Sequence, residues 1–177
     1  MGSRDYIRSE DRCRLCEKAI QEENLQDFIS VSRGECDWPH GFVDFDEVTK
    51  NLAEFLNSPE TDGQLASIRP IEVVYVCGLD HFNKCSHVAY LAQEENVACA
   101  IIYRQGASDQ CVRTLLQSSA NIYYVPLDKD RSNLSDISST VIRELHQNGN
   151  YAELDRLSYP CVSQYYRNLN KPKNEQF

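Results

Sequence analysis

The sequence predicts an α/β fold: a parallel sheet with helices on both faces and a helical segment at the C-terminal end. Its first strand is expected to be missing, because the chain opens on a helix where such sheets usually open on a strand. Three observations carry the fold class. Residues 72–77 (EVVYVC) and 97–103 are apolar runs rich in β-branched residues, the composition of strands buried on both sides. Each run is followed by a glycine, Gly78 or Gly106, at a strand end. Segments with helical spacing separate successive strands, which implies crossover connections and parallel pairing.

Taken in order, Cys13, Leu15, Cys16, Ala19 and Ile20 recur at helical spacing from Ser9, a candidate cap. Residues 27–32 (DFISVS) alternate and read as a strand, and residues 34–41, with Trp38-Pro39, read as a loop. Phe42, Phe45, Val48, Leu52, Phe55 and Leu56 mark a second helix that ends before Ser58-Pro59. A polar connection carrying Gly63 covers 60–70. After the strand at 72–77 come a helix over 87–95, the strand at 97–103, a helix over 109–117 and a short strand at 121–125 (NIYYV). A polar loop at 129–136 leads to helical pieces over 138–147, 151–156 and 160–169. Residues 1–169 are expected to form one domain, and 170–177 a polar tail.

Composition excludes several classes. Hydrophobic residues make up 41%, charged residues 25%, and there are only 7 glycines and 6 prolines, so the chain is neither collagen-like nor wholly disordered. The apolar runs fall well short of the ~18 residues of a membrane span. MGSRDYIRSEDR has no apolar stretch of the kind a signal peptide needs, so a soluble cytoplasmic or nuclear protein is expected, with no membrane partner. A net charge of −9 disfavours nucleic acid as a partner, because phosphate neutralisation requires a basic face. The 8 cysteines are expected to be reduced thiols in such a compartment. Cys13-x-x-Cys16 has no second pair at zinc-site spacing, so no protein-bound metal is expected.

The chemistry concentrates in two places. Asp136-Ile137-Ser138-Ser139-Thr140-Val141-Ile142-Arg143 opens an amphipathic helix with cap residues. A helix start exposes free N–H groups and a positive dipole end, and Arg143 adds a forked cation within about a turn. Ser138, Ser139 and Arg143 are therefore a candidate polyphosphate cradle, with an ordinary capped helix as the plain alternative. Elsewhere, Cys77-Gly78-Leu79-Asp80 ends a strand. Gly78 lets a ligand approach the backbone, and Asp80 can accept hydrogen bonds from ribose hydroxyls. Arg104, in Tyr103-Arg104-Gln105-Gly106, ends the next strand and is the third nucleotide-binding candidate.

Val76-Cys77-Gly78-Leu79-Asp80 together with Ile137-Ser138-Ser139-Thr140-Val141-Ile142-Arg143 resembles the nicotinamide/nicotinate mononucleotide adenylyltransferases of the nucleotidyltransferase superfamily. Arg12–Ile20, DFISVSRGE, YRQG and residues 159–166 resemble further parts of that family, from about Arg12 to Leu169. The resemblance implies a Rossmann-like fold that joins ATP to a pyridine mononucleotide, forming a dinucleotide of NAD biosynthesis and releasing pyrophosphate. It implies Mg²⁺ on the ATP polyphosphate and frequent homo-oligomers. Ser138, Ser139 and Arg143 would hold the ATP phosphates, Gly78 and Asp80 a ribose, and Arg104 would line the cleft.

The family's opening motif, G-x-F-x-P followed by a phosphate-contacting histidine, is not found among the 177 residues; His40, His81, His87 and His146 stand elsewhere in the order. No residue is therefore assigned to catalysis. The family's Trp-Glu pair, which stacks the pyridine, reads Gly34-Glu35 here. This leaves Trp38 as the stacking candidate, with Tyr90 near the position of a second aromatic. Three readings follow: an adenylyltransferase of NAD synthesis, a catalytically inactive nucleotide-binding or interaction module, or a piece of a longer protein.

Overall fold

A computed structural model describes residues 7–39, 41, 43–60, 70–103, 106–126 and 137–169. In chain order these form α1 (Ser9–Glu22), α2 (Phe45–Asn57), β1 (Val73–Gly78), α3 (Leu79–Lys84), α4 (His87–Leu91), β2 (Val97–Ile102), α5 (Gln110–Leu115) and β3 (Ile122–Val125). Then follow α6 (Ser139–Gln147), α7 (Tyr151–Leu157) and α8 (Pro160–Leu169). The chain divides into two compact units, Trp38–Asp136 and Met1–Asp37 with Ile137–Phe177.

The Trp38–Asp136 unit holds a three-stranded parallel sheet in the order β1-β2-β3, flanked by helices, a Rossmann-like α/β arrangement. Val73 pairs with Val97 and Gly78 with Ile102, while Cys99 pairs with Ile122 and Ile102 with Val125. Val97, Cys99 and Ile101 of the central strand are buried with Leu79, Val88 and Leu91 from the helices. Burying each such side chain contributes about 1.5–3 kcal/mol.

Local chemistry explains the boundaries. Asp44 accepts the Phe45 N–H at 2.8 Å where α2 starts, and Asp46 and Glu47 complement its positive end. The helix stops as Ser58 turns extended ahead of Pro59. The Asn57 side chain then binds both backbone groups of Ile71, at 2.8 and 2.9 Å, and fixes the approach to β1. The periodicity predicts α4 as far as residue 95, but it ends at Leu91. Gln93 and Glu94 bond back three residues to Tyr90 and Leu91, and Asn96 at φ 57° starts the turn into β2.

The other unit packs α1 along α8 and folds α6, α7 and α8 around Ile142, Leu154 and Tyr166. The Glu22 carboxylate accepts the Cys161 N–H at 3.1 Å, and Asp11 accepts the Tyr165 hydroxyl at 3.4 Å. His146 is buried with its ring 4.8 Å from that of Tyr166, and Nδ1 lies 3.3 Å from the Tyr151 hydroxyl. Gly149 at φ 67° turns the chain between α6 and α7, a conformation that favours glycine. Asp155 of α7 accepts bonds from Ser163 and Arg167 of α8.

Two expectations are corrected here. Residues 27–32 form no strand; Phe28 and Ile29 bond back to the Leu25 carbonyl in a turn, and Phe28 is 87% exposed. Alternation supplies a pattern but no partner, and a strand needs a neighbouring ladder for its backbone groups. Ser9 is the first helical residue of α1 rather than its cap; Arg8 takes the cap position without a side-chain bond.

Candidate functional site

The predicted phosphate cradle lies at the start of α6. Ser138 is its N-cap in extended conformation, and Oγ accepts the Val141 N–H at 3.3 Å. Ser139 and Thr140 are exposed in the first turn, where backbone N–H groups have no intrahelical acceptor. Side chains on a helix lean toward its N-terminus, and Arg143 follows that rule. Its Nη2 donates to Thr140 Oγ1 at 3.3 Å, which draws the guanidinium back over the helix start. Ser138, Ser139 and Arg143 are thus gathered at one helix end. Ile142 and His146, on the buried side, anchor the same helix in its core.

The predicted ribose-binding strand end lies in the other unit. β1 runs out at Gly78, which caps α3, and Asp80 sits in the first turn of that helix. A Cβ at Gly78 would lie 2.9 Å from Asp80 Oδ1, so the carboxylate folds back over the glycine. Gly78→Ala is therefore expected to cost about 1 kcal/mol by forcing Asp80 aside. In an Asp80→Ala background the same change should be nearly neutral, a coupling that thermal melts of the four proteins will read. Burial pushes the neighbouring Cys77 thiol up to about 11, so it is neutral at pH 7.

Arg104 lies outside the described residues, and Trp38 is half-buried. His81 joins an aromatic cluster: its Nε2 is 3.4 Å from the Tyr75 hydroxyl, and its ring meets Phe45 edge-on at 5.1 Å. Phe45 in turn stacks on Tyr75 at 4.9 Å. Besides these, the strand-and-helix unit holds an open hollow of about 460 Å³ lined by Asn83, Ser108, Gln110, Cys111 and Thr114. Asn83 braces it by donating to the Ser108 carbonyl at 2.8 Å.

The sequence reading missed one grouping. Asp44, Asp46 and His87 bring their ligand atoms within 4.8 Å of one another, close enough to hold a metal ion. Asp44 already accepts the Phe45 N–H, and Asp46 lies 3.4 Å from His87 Nδ1. The Asp-x-Asp spacing was the visible signal, but only the fold brings α4 to it. Mg²⁺ prefers a set of oxygen ligands, and the imidazole here does not match that preference. The α6 start offers hydroxyls, amides and a cation rather than carboxylates. Such a helix end suits an anion rather than a metal ion.

Comparison of the chain with protein-family models, with curated proteins and with solved structures returns no match. Among the described residues, no helix is long and apolar enough to cross a membrane.

Proposed function

We propose that this chain is a nucleotide-binding protein of the adenylyltransferase type, acting on ATP and a pyridine mononucleotide in NAD biosynthesis. The observation that carries the reading is the α6 start. There an N-cap serine, exposed first-turn residues and an arginine drawn back by Thr140 converge, in a segment whose sequence resembles the adenylyltransferase phosphate motif. Anions favour such an end because the amides and the helix dipole act together.

In the reaction so inferred, a phosphate oxygen of the mononucleotide attacks the α-phosphorus of Mg·ATP, and pyrophosphate leaves. Charge builds on the polyphosphate as the bond to the leaving group lengthens, so a fixed cation and fixed donors contribute most. Arg143 supplies the cation, and Ser138, Ser139 and the first-turn amides supply donors. The resemblance assigns Gly78 and Asp80 to ribose hydroxyls and Arg104 to nucleotide binding, and Trp38 is the candidate to stack on the pyridine.

A second reading, a nucleotide-binding or interaction module that lacks the chemistry, is favoured by one observation. The G-x-F-x-P motif and its histidine, the family's principal phosphate donors, are not found in the 177 residues. Losing one donor of that kind commonly costs about 10²–10³ in rate.

Calorimetric titration of the full chain with Mg·ATP tests the binding both readings share. Arg143→Ala should weaken binding by about 10- to 100-fold, the value of a charge-assisted bond. A folded wild-type chain that takes up no Mg·ATP overturns both nucleotide readings. Where binding is found, a dinucleotide-synthesis assay separates them: product supports the transferase, and binding without product supports the non-catalytic relative.

A further inference from the structure

In the Met1–Asp37 and Ile137–Phe177 unit, Cys13 Sγ lies 3.4 Å from Cys36 Sγ. Cys13 belongs to α1 and is 6% exposed, whereas Cys36 is exposed in a turn. That turn is held against one face of the helix. Arg33 donates to both carboxylate oxygens of Glu10, at 3.1 and 3.2 Å, and its Nε stands 3.8 Å from Glu17. Glu10, Cys13 and Glu17 follow one another at helical spacing, so a single stripe of α1 receives both Arg33 and Cys36. The Asp37 N–H bonds back to the Arg33 carbonyl at 2.9 Å and closes the turn that carries the second thiol.

We propose that Cys13 and Cys36 form a reversible disulfide, driven by a hydroperoxide, that fastens the 33–37 turn to α1. The sulfurs are already in contact. A disulfide at about 2.05 Å requires them to close by roughly 1.4 Å, a movement a surface turn can make. The two thiols differ in the way the reaction needs. Cys36 is open to the oxidant; Cys13 is shielded from it but touches its partner. The hydrogen bond to Cys36 and burial hold the Cys13 thiol above its usual range.

In the first step, Cys36 sulfur attacks one oxygen of hydrogen peroxide. The O–O bond breaks, Cys36 becomes a sulfenic acid, and the other oxygen leaves as water with the thiol proton. Cys13 sulfur then attacks Cys36 sulfur; the S–S bond forms, the S–O bond breaks, and the departing hydroxide takes the Cys13 proton. Two thiols have lost two electrons and two protons, and the peroxide has become two waters. Thiol reductants reverse the change by exchange. Cytosolic disulfides are commonly of this transient, sensing kind.

The test treats the reduced full chain with hydrogen peroxide, alkylates the remaining thiols and maps tryptic peptides. Arg12 and Arg14 flank Cys13, so trypsin separates it from Cys16. The expected result is a Cys13–Cys36 linked peptide, a mass loss of about 2 Da per chain, and restoration by dithiothreitol. Cys36→Ser should abolish the linkage and Cys16→Ser should leave it. The proposal is overturned if Cys36 proceeds to sulfinic acid while Cys13 stays open to alkylation. Linkage of Cys36 chiefly to another cysteine overturns it equally. The linkage is read in the wild-type chain, so the result does not depend on whether a Cys13 variant folds.

Discussion

Leu79→Ala is expected to lower the stability of the sheet-bearing unit by about 3 kcal/mol, within the range for a fully buried leucine that leaves a cavity. Leu79 is 0% exposed and opens α3, between Gly78 and Asp80. It joins β2 residues Val97, Cys99 and Ile101 in the same core as Val88 and Leu91. Domains are stable by only about 5–15 kcal/mol, so this one change removes a large share. Trp38, the single tryptophan, lies in this unit and can report its unfolding in a urea titration. Leu52→Ala, at a position 46% exposed, is the control and should cost well under 1 kcal/mol. Equal effects at the two positions would mean that Leu79 is not a core residue. The same first turn of α3 that buries Leu79 also sets the Asp80 carboxylate, the ribose candidate of the proposed function.

The strands were legible because their composition left little choice. Residues 73–78, 97–102 and 122–125 are short apolar runs whose β-branched residues suit a sheet and whose ends carry polar residues or glycine. The helical spacing of the segments between them implied the crossover connections and the parallel pairing. Six-residue α3 escaped, since Leu79–Lys84 is too short to show a helical period and is set by its burial of Leu79 and Phe82. Residues 27–32 misled for the opposite reason: their period is strand-like, but pairing is a tertiary event.

The candidate site divides in the same way. Ser138 reads as a cap from its neighbours alone, and the structure gives it that bond. The reach of Arg143 toward Thr140 follows from helix geometry, so it too was accessible from spacing. Contacts between distant segments were not accessible. Asp44 and Asp46 at the start of α2 meet His87 of α4 because those two helices pack together, and Cys13 meets Cys36 because the 33–37 turn folds back onto α1. Cys13-x-x-Cys16 drew attention as a spaced pair, yet the sulfur in contact with Cys13 is on neither helical neighbour.

Alkali should weaken the fold through Cys99, with Cys99→Ala removing that component. Cys99 is 0% exposed at the centre of β2, and its thiol faces the Val88 carbonyl at 3.4 Å. Burial raises it from 9.0 to about 11, because a thiolate there would lose its hydration. The sign follows from proton counting. Below pH 9 both the folded and unfolded chains keep the proton, and the contribution of this thiol is fully present. Between about 9 and 11 the unfolded chain ionises first and binds fewer protons, so stability falls as pH rises. Above the folded value both forms are ionised and the loss levels off. Two pH units correspond to about 3 kcal/mol, the expected difference between the wild-type and Cys99→Ala profiles across this window. Tyr124 and Tyr165 are also raised, first by burial, so the wild-type profile alone mixes several groups. Subtracting the variant isolates the thiol. Exposed Cys111 supplies an internal reference: it should alkylate readily near pH 8 while Cys99 stays protected. Parallel profiles for wild type and Cys99→Ala would show that the thiol ionises as freely inside the sheet as in the unfolded chain, and that β2 is not packed as described.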